Sequence, residues 1–436
     1  MKVLKFGGTS VGSPERIKNV AALITERGKN IIVLSAMSGT TNSLLSISYA
    51  HKSGFQDVAT KLIDELTGKY ADVIDNLYSS EEARRQAYSI IGGFFNEMRS
   101  IVAQQYSDNA EKKIVAFGEL ISTNLMHILL HEQCINSVLL PALDFMRTDA
   151  HNEPDPDFIK THLNEILASN PDADLYITQG FICRNSRGEI DNLLRGGSDY
   201  TASLIGSAIL AEEVQIWTDI DGMHNNDPRF VEGTKPVHNL NFEEAAELAY
   251  FGAKILHPTC IQPAKVNNIP VRLLNTMQPE AEGTLINNVL RHGLIKAVAA
   301  KDDITAIKIK SDRMLLAYGF LKKVFDIFNK YETSIDMIVT SEVGVSLTID
   351  NTRHLDNILN ELNTLGSVTV DSDMVIICVV GDLEWQNRGF EAKALDALSE
   401  IPVRMISYGG SNYNISFLIR KEDKQRALSL LSEHLF

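Results

Sequence analysis

Cysteine is scarce in this sequence, and its placement excludes two classes of protein. The 436 residues contain four cysteines, Cys134, Cys183, Cys260 and Cys378, which lie far apart. They lack the spacing of metal ligands, and four cysteines in 436 residues fit reduced thiols better than the dense disulfide framework of a small secreted protein. We therefore expect four reduced, buried thiols and a reducing compartment.

Excess positive charge and long apolar runs are also lacking. The chain has 41 Lys and Arg against 56 Asp and Glu, a net charge of -15, which argues against a nucleic-acid or anionic-membrane surface. Its start shows no basic region followed by an apolar one, and no uninterrupted apolar run is long enough to span a bilayer. We expect a cytoplasmic protein in which a few placed cations bind a small anionic ligand.

Familiar nucleotide-binding motifs are missing as well. The sequence contains no Walker A pattern, no G-x-G-x-x-G fingerprint, and no protein-kinase combination of a Gly-rich loop, His-Arg-Asp and Asp-Phe-Gly. A hydrophobic content of 44% and only 12 prolines are typical of a soluble globular chain. The length predicts two or three domains.

What the first residues do contain is a strand followed by a glycine turn. Residues 3–6 have strand character but include Lys5, Gly7 and Gly8 follow, and Ser13-Pro14 is typical of a helix start. Glycines let backbone N–H groups turn toward an anion, and a helix N-terminus attracts one. The pattern predicts a phosphate-binding loop. The alternative is a plain turn beside a surface lysine.

Further loops of this kind follow along the chain. Residues 30–34 predict a buried strand that ends in a small-residue loop, and residues 194–201 place an arginine, two glycines and an aspartate before an apolar helix. Loops that leave the carboxyl ends of parallel strands share one crevice. Glu119 is predicted at the opening of an apolar helix, either as a first-turn acid favoured by the helix dipole or as a ligand for an ammonium group.

From about residue 300 the pattern changes to an internal repeat. Strand and helix signals recur in the order of a ferredoxin-like βαββαβ unit, twice, and residues 334–341 parallel residues 402–409. Such units pair with each other or across a dimer. An oligomerisation device with no ligand is the alternative.

Five strings in this order closely resemble the aspartate kinase family: Lys5-Phe6-Gly7-Gly8-Thr9-Ser10-Val11, Phe117-Gly118-Glu119, Arg195-Gly196-Gly197-Ser198-Asp199-Tyr200, Trp217-Thr218-Asp219 and Gly252-Ala253-Lys254. The resemblance implies an α/β amino-acid-kinase fold, a mainly parallel sheet sandwiched by helices, at residues 1–295. It also implies two ferredoxin-like ACT regulatory regions, at 296–372 and 373–436. The implied reaction is ATP-dependent phosphorylation of L-aspartate to 4-phospho-L-aspartate with Mg²⁺, the first step of lysine, threonine and methionine biosynthesis.

The resemblance also assigns site residues. It implies Lys5 and Asp199 as the catalytic pair, and no residue is assigned as a metal ligand. The implied substrate residues are Ser35, Thr41, Glu119, Arg195 and Ser198. The implied nucleotide residues are Lys5, Gly7, Gly8, Ser10, Thr218, Asp219, His224, Arg229 and Lys254. His224 stands where the family usually has tyrosine, and Asp191-Asn192-Leu193-Leu194 replaces the usual Thr-Thr-Leu-Gly.

In the C-terminal part the resemblance is to lysine-sensitive members. The implied effector residues are Met314, Ala317, Phe320, Leu321, Ser334 and Asp336. Asp336 would hold the effector's ammonium group, in a pocket between ACT modules of two subunits, which implies a homodimer or a dimer of dimers. Ala317 replaces a polar residue of the family, so threonine stays open as the effector beside lysine.

Three alternative functions compete with this interpretation. A glutamate or acetylglutamate kinase would share the phosphate loop, but Glu119 and the paired repeat favour aspartate. A catalytically silent amino-acid sensor should have lost Lys5 or Asp199, and both are present. A purely structural oligomer explains none of the placed cations and glycines.

Overall fold

The protein forms two compact units, and each is described by itself. The structure is a computed structural model that describes residues 1–193, 196–252, 256–311, 314 and 318–436. The first unit comprises Met1–Gly222 and Leu256–Asn288, and the second comprises Met223–Ile255 and Val289–Phe436. Residues 223–255 therefore group with the C-terminal part. The domain boundaries at 295/296 and 372/373 remain predictions.

The described residues form both strands and helices throughout the chain. The strands are β1 (Lys2–Phe6), β2 (Asn30–Leu34), β3 (Ser137–Leu140), β4 (Leu175–Gln179), β5 (Ile182–Arg184), β6 (Ile190–Asn192), β7 (Val214–Thr218), β8 (Asn239–Asn241), β9 (Val271–Asn275), β10 (Thr284–Asn287), β11 (Ile295–Lys310), β12 (Ile338–Ser341), β13 (Gly344–Ile349), β14 (Ser367–Gly381), β15 (Met405–Tyr408) and β16 (Asn414–Arg420). The helices are α1 (Pro14–Thr25), α2 (Thr40–Lys52), α3 (Gln56–Leu77), α4 (Glu81–Val102), α5 (Asp108–Glu132), α6 (Ala142–Phe145), α7 (Pro156–Ala168), α8 (Gly197–Ile209), α9 (Phe242–Tyr250), α10 (Gln262–Val266), α11 (Phe320–Lys330), α12 (Leu355–Leu362), α13 (Phe390–Ala397) and α14 (Lys424–Leu435).

The sheet of the first unit is mainly parallel, as predicted. Seven of its strands lie in the order β3, β4, β2, β1, β7, β9 and β10. Strands β1, β2, β3, β4, β7 and β9 pair in parallel, and β10 pairs with β9 in the antiparallel direction. The carboxyl ends of β2, β1, β7 and β9 therefore meet at one edge, where a parallel sheet places its ligands.

The alternation of side chains along β1 explains the lysine within it. Leu4 and Phe6 join the apolar core formed with residues of α1 to α5. Successive side chains of a strand point to opposite faces, so Lys5 points away from that core. On that face it meets Asp199 of α8. A charged residue thus fits in a buried strand because its own face carries an acid.

Helix α5 is the core helix of the first unit. By length and composition alone it could cross a membrane, although the sequence lacks an uninterrupted apolar run of that length. In the structure 78% of its most apolar window is buried inside the protein.

All four cysteines are free, as predicted, but Cys134, just after α5, is exposed and the expectation of four buried thiols is wrong there.

The second unit contains one antiparallel sheet built from the predicted repeat. Its order is β12, β13, β11, β14, β16 and β15. Residues of α11 and α12 share one core with β11 and β13, and residues of α13 and α14 share another with β14 and β16. The central strands are long: β14 runs from Ser367 to Gly381 and stays paired with β11 through register shifts near residues 301–306.

Candidate active site

An ion pair joins the first strand to helix α8. Lys5 Nζ lies 2.7 Å from Asp199 Oδ1, and the two side chains are only 12% and 17% exposed. Asp199 sits in the first turn of α8, where its N–H donates to Gly196 O at 3.1 Å. The structure thus brings the predicted catalytic pair into contact at the carboxyl edge of the sheet.

The glycine loop after β1 contacts the loop after β2. Gly7 N–H donates to Trp217 O at 3.2 Å, and Ser38 N–H donates to Gly8 O at 3.1 Å. A Cβ at Gly8 would lie 2.7 Å from Ala36 O, closer than backbone atoms allow. Gly8 is therefore needed for the close approach of the two loops, which were predicted to face the same site.

The start of α8 is packed just as closely. Gly196 has φ 68°, in the left-handed region, and a Cβ there would lie 1.7 Å from Cys260 Sγ. Burial raises the pKa of the Cys260 thiol to about 12, and the charge of Asp199 adds to this. The sequence alone did not place Cys260 at this site, because Gly196 lies 64 positions earlier in the chain and no local pattern connects the two residues.

Two of the predicted substrate residues, Ser198 and Glu119, contact the loop that begins with a third, Ser35. Ser35 Oγ donates to Ser198 Oγ at 3.0 Å, and Ala36 N–H donates to Glu119 Oε1 at 3.2 Å. Thr41 lies in the first turn of α2 and is exposed. Arg195 falls outside the described residues. The roles of all these residues in substrate binding remain predictions.

Glu119 does not open a helix, so that prediction is wrong. Helix α5 begins at Asp108, where the Ser107 side chain accepts from Ala110 N–H, and Glu119 lies in its middle. A dipole-favoured first-turn acid is therefore ruled out. Glu119 is 4% exposed, and burial raises its pKa to about 7, although the Ala36 N–H and the charge of Lys5 favour its ionised form.

Only part of the predicted nucleotide set lies in the first unit. Thr218 ends β7, and its hydroxyl donates to Asp219 Oδ1 at 3.0 Å. Ser10 is fully buried and lies 2.7 Å from Thr276, which sequence reasoning missed. His224 and Arg229 belong to the second unit. Lys254 falls outside the described residues.

The two described nucleotide candidates of the second unit already have partners there. His224 Nδ1 lies 2.9 Å from Thr234 Oγ1. The guanidinium of Arg229 forms an ion pair with Asp227 at 2.6 Å. Their assignment to the nucleotide remains a prediction.

The effector candidate Asp336 is enclosed by groups that the sequence did not reveal. Its carboxylate is fully buried, and Oδ1 accepts from Lys301 Nζ and from the Tyr250 hydroxyl, both at 2.6 Å. Lys301 Nζ also pairs with Asp350 at 2.9 Å and lies 4.3 Å from the ring centroid of Tyr250. Asp336 Oδ2 is buried and has no hydrogen-bond partner.

The other effector candidates lie before, within and after α11 along the chain. Phe320 is its first residue and Leu321 its second, and Leu321 and Ser334 are exposed. Met314 packs against the core of α11 and α12. Ala317 falls outside the described residues, and the effector assignments remain predictions.

The chain is similar over its whole length to known proteins. The profile of the Amino acid kinase family matches residues 1–275, and an ACT domain profile matches residues 377–435. Lysine-sensitive aspartokinase 3 of Escherichia coli is 32% identical, over 100% of this chain and 99% of its own length. The structure of E. coli aspartokinase III with aspartate and ADP matches with a TM-score of 0.85, and that with lysine and aspartate with 0.83, each at 32% identity over 100% of both chains.

Proposed function

Because this chain belongs to the amino acid kinase family, and within it to the aspartokinases, we infer that it phosphorylates the side-chain carboxylate of L-aspartate with ATP. The products are 4-phospho-L-aspartate and ADP. The single observation that carries this function is the ion pair between Lys5, on the strand that leads into the glycine loop, and Asp199, at the start of α8. A cation in this position supports phosphoryl transfer, because that reaction develops negative charge that a placed ammonium group stabilises.

The acceptor explains why the site needs no general base. A carboxylate has an ordinary pKa of about 4, so at neutral pH it is already the nucleophile. Its oxygen forms the new bond to the γ-phosphorus while the bond from that phosphorus to the ADP oxygen breaks. The task of the protein is therefore positioning and charge stabilisation. Lys5 neutralises the transferred group, and Asp199 fixes the ammonium of Lys5.

The residues Glu119, Ser35 and Ser198, here called the acid pocket, select the amino-acid substrate. The carboxylate of Glu119 binds the ammonium group of aspartate, and the hydroxyls of Ser35, Ser198 and Thr41 bind its other polar atoms. Arg195 clamps a carboxylate through its two-pronged guanidinium. This assignment is supported by the convergence of Ser35, Ser198 and Glu119 around residues 35–36.

The nucleotide binds along the loops after β1 and β7, and Mg²⁺ accompanies it. The backbone of Gly7 and Gly8 takes the phosphates, and Thr218 and Asp219 extend this surface. No group of three or more His, Cys, Asp or Glu side chains within the described residues is arranged to hold a metal. This fits Mg²⁺, which takes one or two carboxylates together with substrate phosphates and water.

The second unit gives feedback inhibition by an amino acid, with lysine as the effector. The support is chemical: the Asp336 carboxylate already accepts a lysine ammonium, that of Lys301, at 2.6 Å. The ammonium group of the effector lysine binds to Asp336 in place of Lys301 or beside it. The protein is cytoplasmic and forms a homodimer or a dimer of dimers. Inhibition then follows if the effector binds more tightly to the less active arrangement.

ADP release from Mg-ATP tests both halves of this function. We expect turnover with L-aspartate, none with L-glutamate or without acceptor, and suppression by added lysine. Turnover that neither lysine nor threonine suppresses would leave the kinase and remove the effector assignment. Amino-acid binding without turnover would instead identify a silent sensor.

A further inference from the structure

Three neighbouring strands of the first unit end side by side, and their loops are tied together. Gly7 follows β1, Asp219 follows β7 and Thr276 follows β9. Gly7 N–H donates to Trp217 O at 3.2 Å, and Thr276 N–H donates to Thr218 O at 2.8 Å. Both outer loops are therefore fixed to the end of β7.

A pair of hydroxyls joins the two outer loops directly. Ser10 Oγ lies 2.7 Å from Thr276 Oγ1, across 266 positions of sequence. Ser10 is fully buried, and a buried hydroxyl needs a partner. Its N–H donates to Gly7 O at 3.0 Å, so Ser10 also closes the turn that contains Gly7 and Gly8. Thr276 thus contacts the phosphate loop at the residue that closes it.

We propose that Thr276 is a positioning residue for the nucleotide. Through Ser10 it holds the turn of residues 7–10 in the shape in which its N–H groups meet the ATP phosphates. The proposal rests on the proposed ATP-dependent function and adds a residue outside every motif that the sequence displays. A loop fixed before binding loses less conformational freedom when the ligand arrives, so this contact affects ATP and not aspartate.

Kinetics of matched variants test this role. Thr276→Val keeps the shape of the side chain but removes the hydroxyl, and we expect the KM for ATP to rise about fivefold, the effect of losing one ordinary hydrogen bond. We expect kcat and the KM for aspartate to change by less than about twofold. Thr276→Ser should restore the wild-type KM for ATP. Thr25→Val is the control: it removes a hydroxyl that donates to Ala21 O at 2.7 Å within α1, and should change neither KM.

A double variant separates this role from general stability. If both residues act through one contact, Ser10→Ala/Thr276→Val should raise the KM for ATP no more than the worse single variant does. Additive effects, or a wild-type KM for ATP in Thr276→Val, would overturn the proposal.

Calorimetric binding of Mg-ATP without aspartate distinguishes this proposal from the proposed function. A wild-type protein that binds Mg-ATP but releases no ADP with aspartate would disprove the kinase. The affinity of Thr276→Val for Mg-ATP would then still decide the positioning role. A wild-type protein with no affinity for Mg-ATP would overturn both.

Discussion

Lys5 shows how one residue combines a structural and a chemical task. It lies in a buried strand, and its ammonium is neutralised by Asp199, which opens α8. The pair stabilises the contact between strand and helix. It also leaves a cation within reach of any anion held by the glycine loop, because an ammonium group has three N–H donors.

Replacing Lys5 tests its chemical task. We expect Lys5→Met to lower kcat at least about a hundredfold, the usual effect of removing one charge-stabilising donor. Lys2→Met is the matched control, since Lys2 lies on the same strand, has a side chain that is 42% exposed, and pairs with Glu213 only at 3.8 Å. It should keep wild-type turnover in the ADP-release assay. A fully active Lys5→Met protein would contradict the catalytic role.

Glu119 makes the stability of the protein depend on pH. Its pKa of about 7 lies above the value of 4.5 for an exposed glutamate, so the fold favours its neutral form. The contribution of Glu119 to the unfolding free energy is therefore fully present below pH 4.5, and it is lost as the pH rises through the folded-state pKa of about 7. Glu119→Gln stays neutral, so above pH 7 it should exceed the wild type in unfolding free energy by on the order of 3 kcal/mol.

Denaturant unfolding of both proteins between pH 5 and pH 8 measures this difference. We expect the two curves to converge toward pH 5 and to separate up to about pH 7. Glu97→Gln, at an exposed position of α4, is the control and should follow the wild type throughout. A constant difference between Glu119→Gln and wild type at all pH values would show that ionisation of Glu119 is not its cause.

At the scale of elements, the site depends on how closely two loops approach each other. Gly8 has room for no side chain, because a Cβ would lie 2.7 Å from Ala36 O. The loops after β1 and β2 therefore touch through backbone atoms. A displacement here would move the phosphate-binding amides relative to the acid pocket.

Gly8→Ala should separate the two loops. We expect kcat/KM to fall about a hundredfold, as for a misplacement of about 1 Å in a reacting pair. Gly92→Ala is the control, since Gly92 lies within α4 with nothing within 4 Å of a new Cβ. It should leave kinetics unchanged and stabilise the protein by about 0.5 to 1 kcal/mol, since alanine favours helices. Wild-type kinetics in Gly8→Ala would contradict the tight approach.

At the scale of the whole molecule, regulation requires that the second unit sense an amino acid. The buried carboxylate of Asp336 forms a cluster with Lys301, Tyr250 and Asp350, of which Tyr250 and Asp350 are partly exposed to solvent. Tyr250 is the last residue of α9 and lies four positions before Lys254, a predicted nucleotide residue. Tyr250, which contacts the effector candidate Asp336, is therefore only four positions away in sequence from a nucleotide candidate.

Asp336→Asn should weaken inhibition by lysine. Losing a charge-assisted contact to an ammonium group should raise the lysine concentration for half inhibition at least about tenfold. Asp326→Asn is the control, because Asp326 pairs with Lys322 on the exposed side of α11. Turnover without lysine is measured for both, so that an effect on the effector is separated from one on catalysis. Unchanged inhibition in Asp336→Asn would remove Asp336 from the effector site.

Sequence patterns were sufficient where neighbours in the chain decide the structure. The bounds of β2 and the cap of α1 at Ser13 are as predicted. Each depends on residues a few positions apart, through side-chain alternation or a cap hydrogen bond. The five family strings likewise predicted the kinase fold and the reaction before any contact was known.

Only the tertiary structure decided which distant residues meet. It placed Glu119 deep within α5, joined Ser10 to Thr276, and enclosed Asp336 with Lys301. These contacts follow from strand order and helix packing, which bring together residues from 35 to 266 positions apart and leave no local pattern. The raised pKa of Glu119 has the same origin, because burial is a property of the folded core and not of the neighbouring sequence.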